Sequence, residues 1–307
     1  MIATLAAGRH RVLKKRDSYP GQVNTPAADM GAGVLRAGAA ATRFSLTRHR
    51  PPEDLAPFAD FCWVVRWDLR GEPAHEQSIL PHPNVNLAFE ASSAAVYGVD
   101  RKIFTRKISG AGKALGIRFR PGGFRPWYPG RISALNDRVV PARDIFGPAA
   151  DETCAAVLAA GNDEAMIEAA ACLLRGARPR PDPVAAQVAA IVERIIADPS
   201  LRRVASLSDA FRMPERRLQR LFADYVGVSP KWVMRRARLH EAALRADEGG
   251  DVDWGSLAAD LGYADQAHLT RDFTATLGMP PTRYVSTPQG QPGDMGAGAP
   301  MPGSTAS

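Results

Sequence analysis

The chain has 307 residues, of which 45% are hydrophobic and 23% charged, and this length is enough for about two domains. The formal net charge of +7 and the isoelectric point near 9.6 are compatible with an anionic partner without requiring one. Three cysteines without a CxxC pair exclude a disulfide framework and a zinc knuckle, and they fit reduced thiols.

The first segment, residues 1–40, has no sustained hydrophobic period and is rich in Gly, Ala and Pro, which is typical of disorder. Its basic run, Arg9–Arg16, follows a short apolar patch, and this order is opposite to that of a signal peptide. No apolar run reaches the ~18 residues of a membrane span. We therefore expect a cytoplasmic protein with no membrane partner and a disordered N-terminal extension.

Residues 41–148 predict a β-rich domain. Phe61–Leu69 is rich in aromatic and β-branched residues, and apolar and polar residues alternate over Asn84–Glu90 and Ala114–Arg120. A period of two indicates half-buried strands. Turn-forming residues such as those of Pro81–Asn84 separate these runs.

Residues 149–183 are Ala-rich and predict one or two helices, with a break near Gly161–Asn162, followed by a linker. The linker, Ala177–Pro183, is stiff because it is rich in proline, and we expect few contacts to cross this domain boundary. The pattern then predicts only helices over residues 184–286. The tail, residues 287–307, is rich in Gly, Pro and Ser and is expected to be disordered.

Two helices joined by a tight turn are predicted over Arg203–Phe211 and Pro214–Gly227. The second helix has apolar residues at i, i+3, i+4 and i+7, which form one buried stripe: Leu218, Leu221, Phe222 and Tyr225. Its opposite face presents the polar side chains Arg216, Gln219 and Arg220. Arg can bind guanine and Gln adenine in a bidentate manner, so this helix-turn-helix pattern predicts a helix that enters the major groove of DNA.

The same skeleton returns about 51 residues later, where Leu269 and Phe273 match Leu218 and Phe222. Asp253 can cap the first helix of this second unit and Asp265 the second. The base-reading positions of the second unit are predicted to be Gln266, Ala267, Thr270 and Arg271.

A linking helix of about 16 residues, capped by Ser229, joins the two units and spans ~24 Å. Two units on a rigid helix can enter successive major grooves, about 34 Å apart. Arg235 and Arg236 of the linking helix are further candidates for DNA contact. Over Arg202–His240 the formal charge is 10 − 3 = +7, and over Glu241–Val285 it is 3 − 8 = −5, so the first unit and the linking helix are expected to make most phosphate contacts.

Residues 184–286 resemble the C-terminal DNA-binding domain of the AraC/XylS transcription regulators. The motifs that carry the resemblance are LQRLFADYVGVSPKWVMRRARL and LGYADQAHLTRDFTATLGMPPTRY. It implies a sequence-specific regulator of transcription, an activator or a repressor, that binds double-stranded DNA and contacts RNA polymerase. Two departures concern the turn of the first unit: Pro214 stands where a Ser cap usually opens the recognition helix, and Phe211–Arg212 stand where a Gly often precedes the turn.

The N-terminal half is similar to a domain found in front of this DNA-binding domain. The matching segments are ILPHPNVNLAFE and GAGKALGIRFRPGGFRPWYPGRISALNDRVVPARDIFG. Such domains resemble small cupin-type barrels, which implies a role in sensing a small-molecule effector or in forming a homodimer. The expected fold is therefore a β-rich, cupin-like N-terminal domain followed by an all-α, double helix-turn-helix C-terminal domain.

The sequence signals for other kinds of site, such as metal, anion or catalytic sites, are weaker. His75, His82 and Glu90 could bind a metal, but their spacing is irregular. Four arginines near one turn could bind an anionic effector or form structural salt bridges: Arg118, Arg120, Arg125 and Arg131. No GxSxG motif, Walker loop or paired-carboxylate signature is found, so we expect no enzyme activity, cofactor or metal.

Two alternatives remain open at this point. One is a cupin-type metalloenzyme fused to a DNA-targeting domain, which metal analysis of the purified protein would identify. The other is a protein that binds DNA without sequence preference, which the ratio of specific to competitor affinity would reveal.

Overall fold

The computed structural model describes residues 43–91, 93–198, 201–247 and 252–286. The disorder expected for residues 1–40 and 287–307 concerns segments outside the described residues. None of the described helices is long and apolar enough to cross a membrane. The described chain forms a β-rich N-terminal domain and an all-helical C-terminal domain, which confirms the predicted fold class.

Eight strands occur in the described part of the N-terminal domain. They are β1 (Ser45–His49), β2 (Ala59–Leu69), β3 (His75–Ile79), β4 (Asn86–Glu90), β5 (Ser93–Tyr97), β6 (Phe104–Ile108), β7 (Gly110–Phe119) and β8 (Val139–Pro141). Six of them form an antiparallel sheet in the order β1-β2-β7-β4-β5-β8, and β3 pairs with β6 in a separate antiparallel ribbon.

The alternation along the strands gives the six-stranded sheet two covered faces. One face packs against helices through residues of β2, β4 and β7: Cys62, Val64, Leu87, Phe89, Leu115 and Ile117. The other face lines a cavity, which residues of β3 and β6 close on the far side. The strands were predicted to be half-buried, but the polar side of β7 faces this cavity, and Arg118 is one of its lining residues. Gly116 of β7 leaves space there for the Trp63 indole, because a Cβ atom would lie 2.0 Å from the ring.

Three helices complete this domain: α1 (Arg143–Phe146), α2 (Ala149–Ala159) and α3 (Asp163–Gly176). The break predicted near Gly161–Asn162 is confirmed, since the Asn162 side chain accepts a hydrogen bond from the Ala165 N–H at 2.8 Å and caps α3. Residues of α2 and α3 share one hydrophobic core with the sheet. The helical pair therefore packs as a layer of the N-terminal domain.

Asp163, at the start of α3, ties this helical layer to the sheet. Its carboxylate accepts hydrogen bonds from Thr47 at 2.8 Å and His49 at 2.7 Å, and it pairs with Arg66. Burial by itself would raise the pKa of Asp163, but the hydrogen bonds from Arg66, Thr47 and His49 outweigh it, so the net pKa is lowered. The carboxylate is therefore held in its charged form.

Seven helices follow in the described residues. They are α4 (Pro183–Ala197), α5 (Val204–Ala210), α6 (Glu215–Leu221), α7 (Pro230–Asp247), α8 (Trp254–Asp260), α9 (Gln266–Leu277) and α10 (Pro281–Ser286), and α6 continues into a π turn over Phe222–Val226. Helices α4 to α6 and the start of α7 bury one apolar cluster, and the rest of α7 buries a second one with α8 to α10. The first helix-turn-helix unit is thus α5–α6 and the second is α8–α9, with α7 as the linking helix.

The expectation that few contacts cross the Ala177–Pro183 boundary is wrong. Val99 of the N-terminal domain is buried in the apolar cluster of the first unit, and Leu80 is buried in that of the second. The Asn136 side-chain amide donates to the Gly227 carbonyl oxygen at 2.7 Å. The sequence on either side of the linker gave no local signal of these contacts, because they join residues far apart in the chain.

Candidate nucleic-acid interface

The first recognition helix, α6, has the predicted orientation. Leu218, Leu221 and Phe222 are buried against the rest of the unit. The predicted base-reading side chains Arg216, Gln219 and Arg220 are all exposed. Arg217, which was not among the predicted base-reading residues, is exposed beside them and adds a fourth polar side chain to this face.

The turn before α6 differs from its counterpart in the second unit. Arg212, the second residue after α5, adopts a left-handed conformation with φ +47°. The second residue after α8 is Gly262, with φ +74°. No side chain caps α6, which begins after Pro214. The Asp265 side chain caps α9 by accepting a hydrogen bond from the His268 N–H at 2.6 Å. The sequence departures noted in the first unit therefore coincide with a strained residue and an uncapped helix start.

The end of the first recognition helix is held by the N-terminal domain. Gly227 has φ +97° and terminates the π turn, as predicted for a left-handed residue after a helix. A Cβ atom at this position would lie 2.7 Å from the Asn136 side-chain oxygen. Arg131, near Asn136 in the chain, forms an ion pair with Asp224 at 3.2 Å.

The second recognition helix, α9, exposes Gln266, Ala267 and Arg271, while Thr270 is half-buried. The opposite side buries Leu269 and Phe273, as predicted, and Leu277 lies buried beside them. His268 is half-buried and its ring lies edge-on to Tyr263, with ring centroids 5.1 Å apart. The capping roles predicted for Asp253 and Asp265 are both confirmed.

The linking helix α7 has 18 residues and is about 27 Å long at 1.5 Å per residue. Ser229 caps it by accepting a hydrogen bond from the Trp232 N–H at 3.2 Å. Arg235 is half-buried and pairs with Asp272 of α9 at 3.0 Å, and the Arg238 guanidinium lies over the Tyr263 ring at 4.6 Å. These arginines therefore hold the second unit against the linking helix.

The structure contradicts the predicted DNA contact of Arg236. Only 4% of this residue is exposed, because it points into the N-terminal domain. Its Nε donates to the Pro81 carbonyl oxygen at 2.7 Å, and its Nη2 lies 2.8 Å from His82 Nδ1. The prediction relied on the residue type alone, although the helical position of Arg236 follows the buried stripe of Val233, Leu239 and Ala243.

The N-terminal cavity measures about 250 Å³ and is lined mainly by apolar and aromatic side chains. Of the four arginines considered for an anionic effector, only Arg118 lines it. Arg120 donates to the Ala56 carbonyl oxygen at 3.0 Å, Arg125 donates to the Tyr128 and Pro129 carbonyl oxygens, and Arg131 has the ion pair described above.

The residues weighed as metal ligands have other partners. Glu90 forms an ion pair with Arg106 and accepts a hydrogen bond from the Tyr97 hydroxyl at 2.7 Å. His82 contacts Arg236, and burial, followed by the charges of Arg236 and Arg118, lowers the pKa of His82 well below its usual value. His75 lies beside the Phe44 ring. Within the described ranges no three His, Cys, Asp or Glu residues are grouped as a metal site would require.

Two family models match the chain. One, described as a domain of unknown function (DUF6597), matches residues 47–141, and the other, described as a helix-turn-helix domain, matches residues 207–287. No curated protein matches.

Among solved structures, the chain is similar to ToxT from Vibrio cholerae, at 10% identity and a TM-score of 0.37 over 79% of this chain and 98% of ToxT. It is also similar to ToxT from the same organism with an unsaturated fatty acid bound, at 12% identity and a TM-score of 0.33 over 80% of this chain and 95% of that one.

The helix-turn-helix match begins within α5 and covers the rest of both units described above, with their buried stripes and exposed recognition faces. The chain therefore carries an AraC-type helix-turn-helix DNA-binding domain, in which two units share one linking helix, behind a domain of the DUF6597 family, and it is a DNA-binding regulator of transcription.

Proposed function

We propose that this regulator reads a specific operator with α6 and α9 and responds to a small molecule in its N-terminal cavity. The observation that supports base reading is the exposed set Arg216, Gln219 and Arg220, which lies opposite the buried Leu218 and Phe222. Arg and Gln are the side chains that bind guanine and adenine edges in the major groove.

The second helix presents a different surface. Gln266, Ala267 and Arg271 offer one amide, one methyl group and one cation, with Thr270 beside them. An Ala or Thr methyl group suits the methyl group of thymine, and Gln suits adenine. We therefore expect the half-site read by α9 to be rich in A·T pairs and the half-site read by α6 to contain guanine.

The test begins with selection of the operator from a random DNA library by the full-length protein. Arg216→Ala or Gln219→Ala should then weaken binding to the selected operator by about 1–3 kcal/mol and relax the preference at one or two positions. Arg70→Ala serves as a matched control, because it removes an exposed arginine of the N-terminal domain whose side chain is 75% exposed and paired with Asp68. Equal losses on operator and random DNA would indicate binding without sequence preference.

The proposed location, RNA polymerase contact and homodimer follow from the role of the protein as a DNA-binding regulator. A regulator of this class acts on the chromosome, so we place it in the cytoplasm, with RNA polymerase as a further partner if it activates. A footprint covering two copies of the selected site, spaced by a whole number of helical turns on one face of the fragment, would indicate a homodimer. A single asymmetric footprint would indicate that one chain occupies the operator.

A further inference from the structure

The N-terminal cavity has an apolar body and a cationic end. Its body is lined by aromatic and aliphatic side chains, namely Phe44, Leu46, Val65, Trp67, Phe104 and Ile108. At about 250 Å³ it is close to the lower end of the ~300–1,000 Å³ range of small-molecule pockets. These features suit one compact molecule with a hydrocarbon or aromatic body.

Arg48 and Arg118 form the cationic end. Both guanidinium groups lie beside one ring, with their central carbons 4.8 Å and 5.1 Å from the Phe61 centroid. Asp60 lies 3.4 Å from Arg118 Nε, which is longer than the ~2.7–2.9 Å of a strong charged hydrogen bond. The Arg118 side chain is only 16% exposed, and burial, partly opposed by Asp60 and reinforced by Arg48, lowers its pKa.

Beyond Arg48 and Arg118 lies a further buried positive charge, that of Arg236, together with the His82 ring. Arg236 reaches the outside of the same cavity wall, and its charge lowers the pKa of His82, after the larger effect of burial. Three guanidinium groups thus lie near one another in a place where burial weakens screening. An anionic group on a ligand would be attracted to this end and could accept bidentate hydrogen bonds from the arginines.

One segment of the wall between the cavity and the DNA-binding domain is Leu80–Asn84, and it faces the linking helix and the second unit. Leu80, Pro81, His82 and Asn84 all line the cavity. On its other side, Leu80 is buried in the apolar cluster of the second helix-turn-helix unit, and the Pro81 carbonyl oxygen accepts the hydrogen bond from Arg236 of the linking helix.

Resting on the function proposed above, we propose that the cavity binds an amphipathic organic acid whose acid group lies between Arg48 and Arg118, and that Leu80–Asn84 relays its binding to Arg236. A ligand that shifts this wall changes the support of the linking helix, on which both recognition helices are mounted. By linkage, ligand and operator then alter each other's affinity by the same factor.

The ligand class is tested with two probes that differ only in the polar group, decanoate and decan-1-ol. Binding of each probe is measured by calorimetry and by the fluorescence of Trp63 and Trp67, which lie in the cavity wall. Decanoate should bind at least about tenfold more tightly than decanol, as expected for one or more charge-assisted hydrogen bonds. Arg118→Gln should abolish this preference, and Arg118→Lys should restore part of it.

The double variant Glu90→Gln with Arg106→Gln is the matched control, because it removes an ion pair that also lines the cavity and leaves no unpaired charge there. This variant should keep the preference for decanoate. Equal affinity of the wild type for the two probes, or binding of neither, overturns the assignment of the ligand class. Neither result depends on DNA.

The relay is tested by measuring operator affinity with and without saturating decanoate. The wild type should show a change of about fivefold or more, in either direction. Arg236→Met should still bind decanoate in preference to decanol, because Arg48 and Arg118 remain, but it should lose the change in operator affinity, since the hydrogen bond to Pro81 is gone. If Arg236→Met does not fold, His82→Phe tests the same wall.

A smaller change in the wild type, or a full change in the folded variant, overturns the relay. Failure to bind the operator both with and without decanoate would instead count against the proposed function, and the decanoate preference would still decide the ligand class.

Discussion

The salt dependence of operator binding should distinguish the arginines of α6 from those of the linking helix. Each phosphate neutralised by a protein cation adds about −0.9 to the slope of log K against log salt. Arg216, Arg217 and Arg220 are exposed on α6, whereas Arg236 is buried in the domain interface and Arg235 is paired with Asp272. The exposed cations are thus the ones free to approach DNA.

We expect Arg217→Ala to reduce the magnitude of the slope by about 0.9, which corresponds to a factor of about 3.5 in affinity between 50 and 200 mM salt. Replacing all three arginines of α6 should reduce it by up to about 2.7. Arg236→Met should leave the slope unchanged within about 0.3, because a buried side chain releases no DNA counterion. Arg271→Ala, on α9, should reduce the magnitude of the slope by no more than about 0.9, the value for one phosphate contact.

The assay is fluorescence anisotropy on one labelled operator fragment over a series of salt concentrations, with Arg70→Ala as the control for the loss of a remote exposed cation. The slope, rather than the affinity at one salt concentration, is compared, since a change in domain packing alters affinity without changing the number of phosphate contacts. If Arg236→Met flattens the slope as much as Arg217→Ala does, Arg236 leaves the interface to meet DNA, and the division proposed from the structure is wrong.

Local signals in the sequence were sufficient for the C-terminal helices. The stripe of Leu218 and Phe222 identified the buried side of α6, and Asp253 and Asp265 marked the starts of α8 and α9. Each of these features depends on residues within about one helical turn, so the pattern carries the information directly. The continuation of α6 into a π turn had no comparable signal.

Features that depend on distant parts of the chain could not be predicted in this way. Alternation in β7 indicated two faces but not that Arg118 would face a cavity closed by β3 and β6. Arg236 was assigned to DNA by its charge, although the N-terminal segment around Pro81 provides its partner from 155 positions away in sequence. The candidate DNA-reading face was thus accessible to sequence reasoning, whereas the domain interface was not.

Two further predictions concern stability, measured by urea unfolding. Arg212→Gly should stabilise the protein by about 0.5–1 kcal/mol, because the left-handed conformation costs a non-glycine residue about 1–2 kcal/mol, and the greater freedom of glycine in the unfolded chain offsets part of this gain. Arg220→Gly, in the interior of the helix formed by α6 and the π turn, should instead destabilise the protein by about 1 kcal/mol. Asp163→Asn should destabilise the N-terminal domain by about 2 kcal/mol at pH 7, because a charged acceptor of hydrogen bonds between the sheet and α3 is lost. The pKa of Asp163 is lowered in the folded state, so its contribution is complete above the unfolded value of about 3.9 and is lost as the pH falls through the lower folded value. The wild type and Asp163→Asn should therefore differ at pH 7, begin to converge below about pH 4 and meet only below the lowered folded pKa. Asp151→Asn, which breaks an ion pair between two exposed side chains, should change stability by less than about 1 kcal/mol at either pH. A loss for Asp163→Asn that is equally large at pH 3 and pH 7 would show that packing at the start of α3, rather than the charge of the carboxylate, links the helical layer to the sheet.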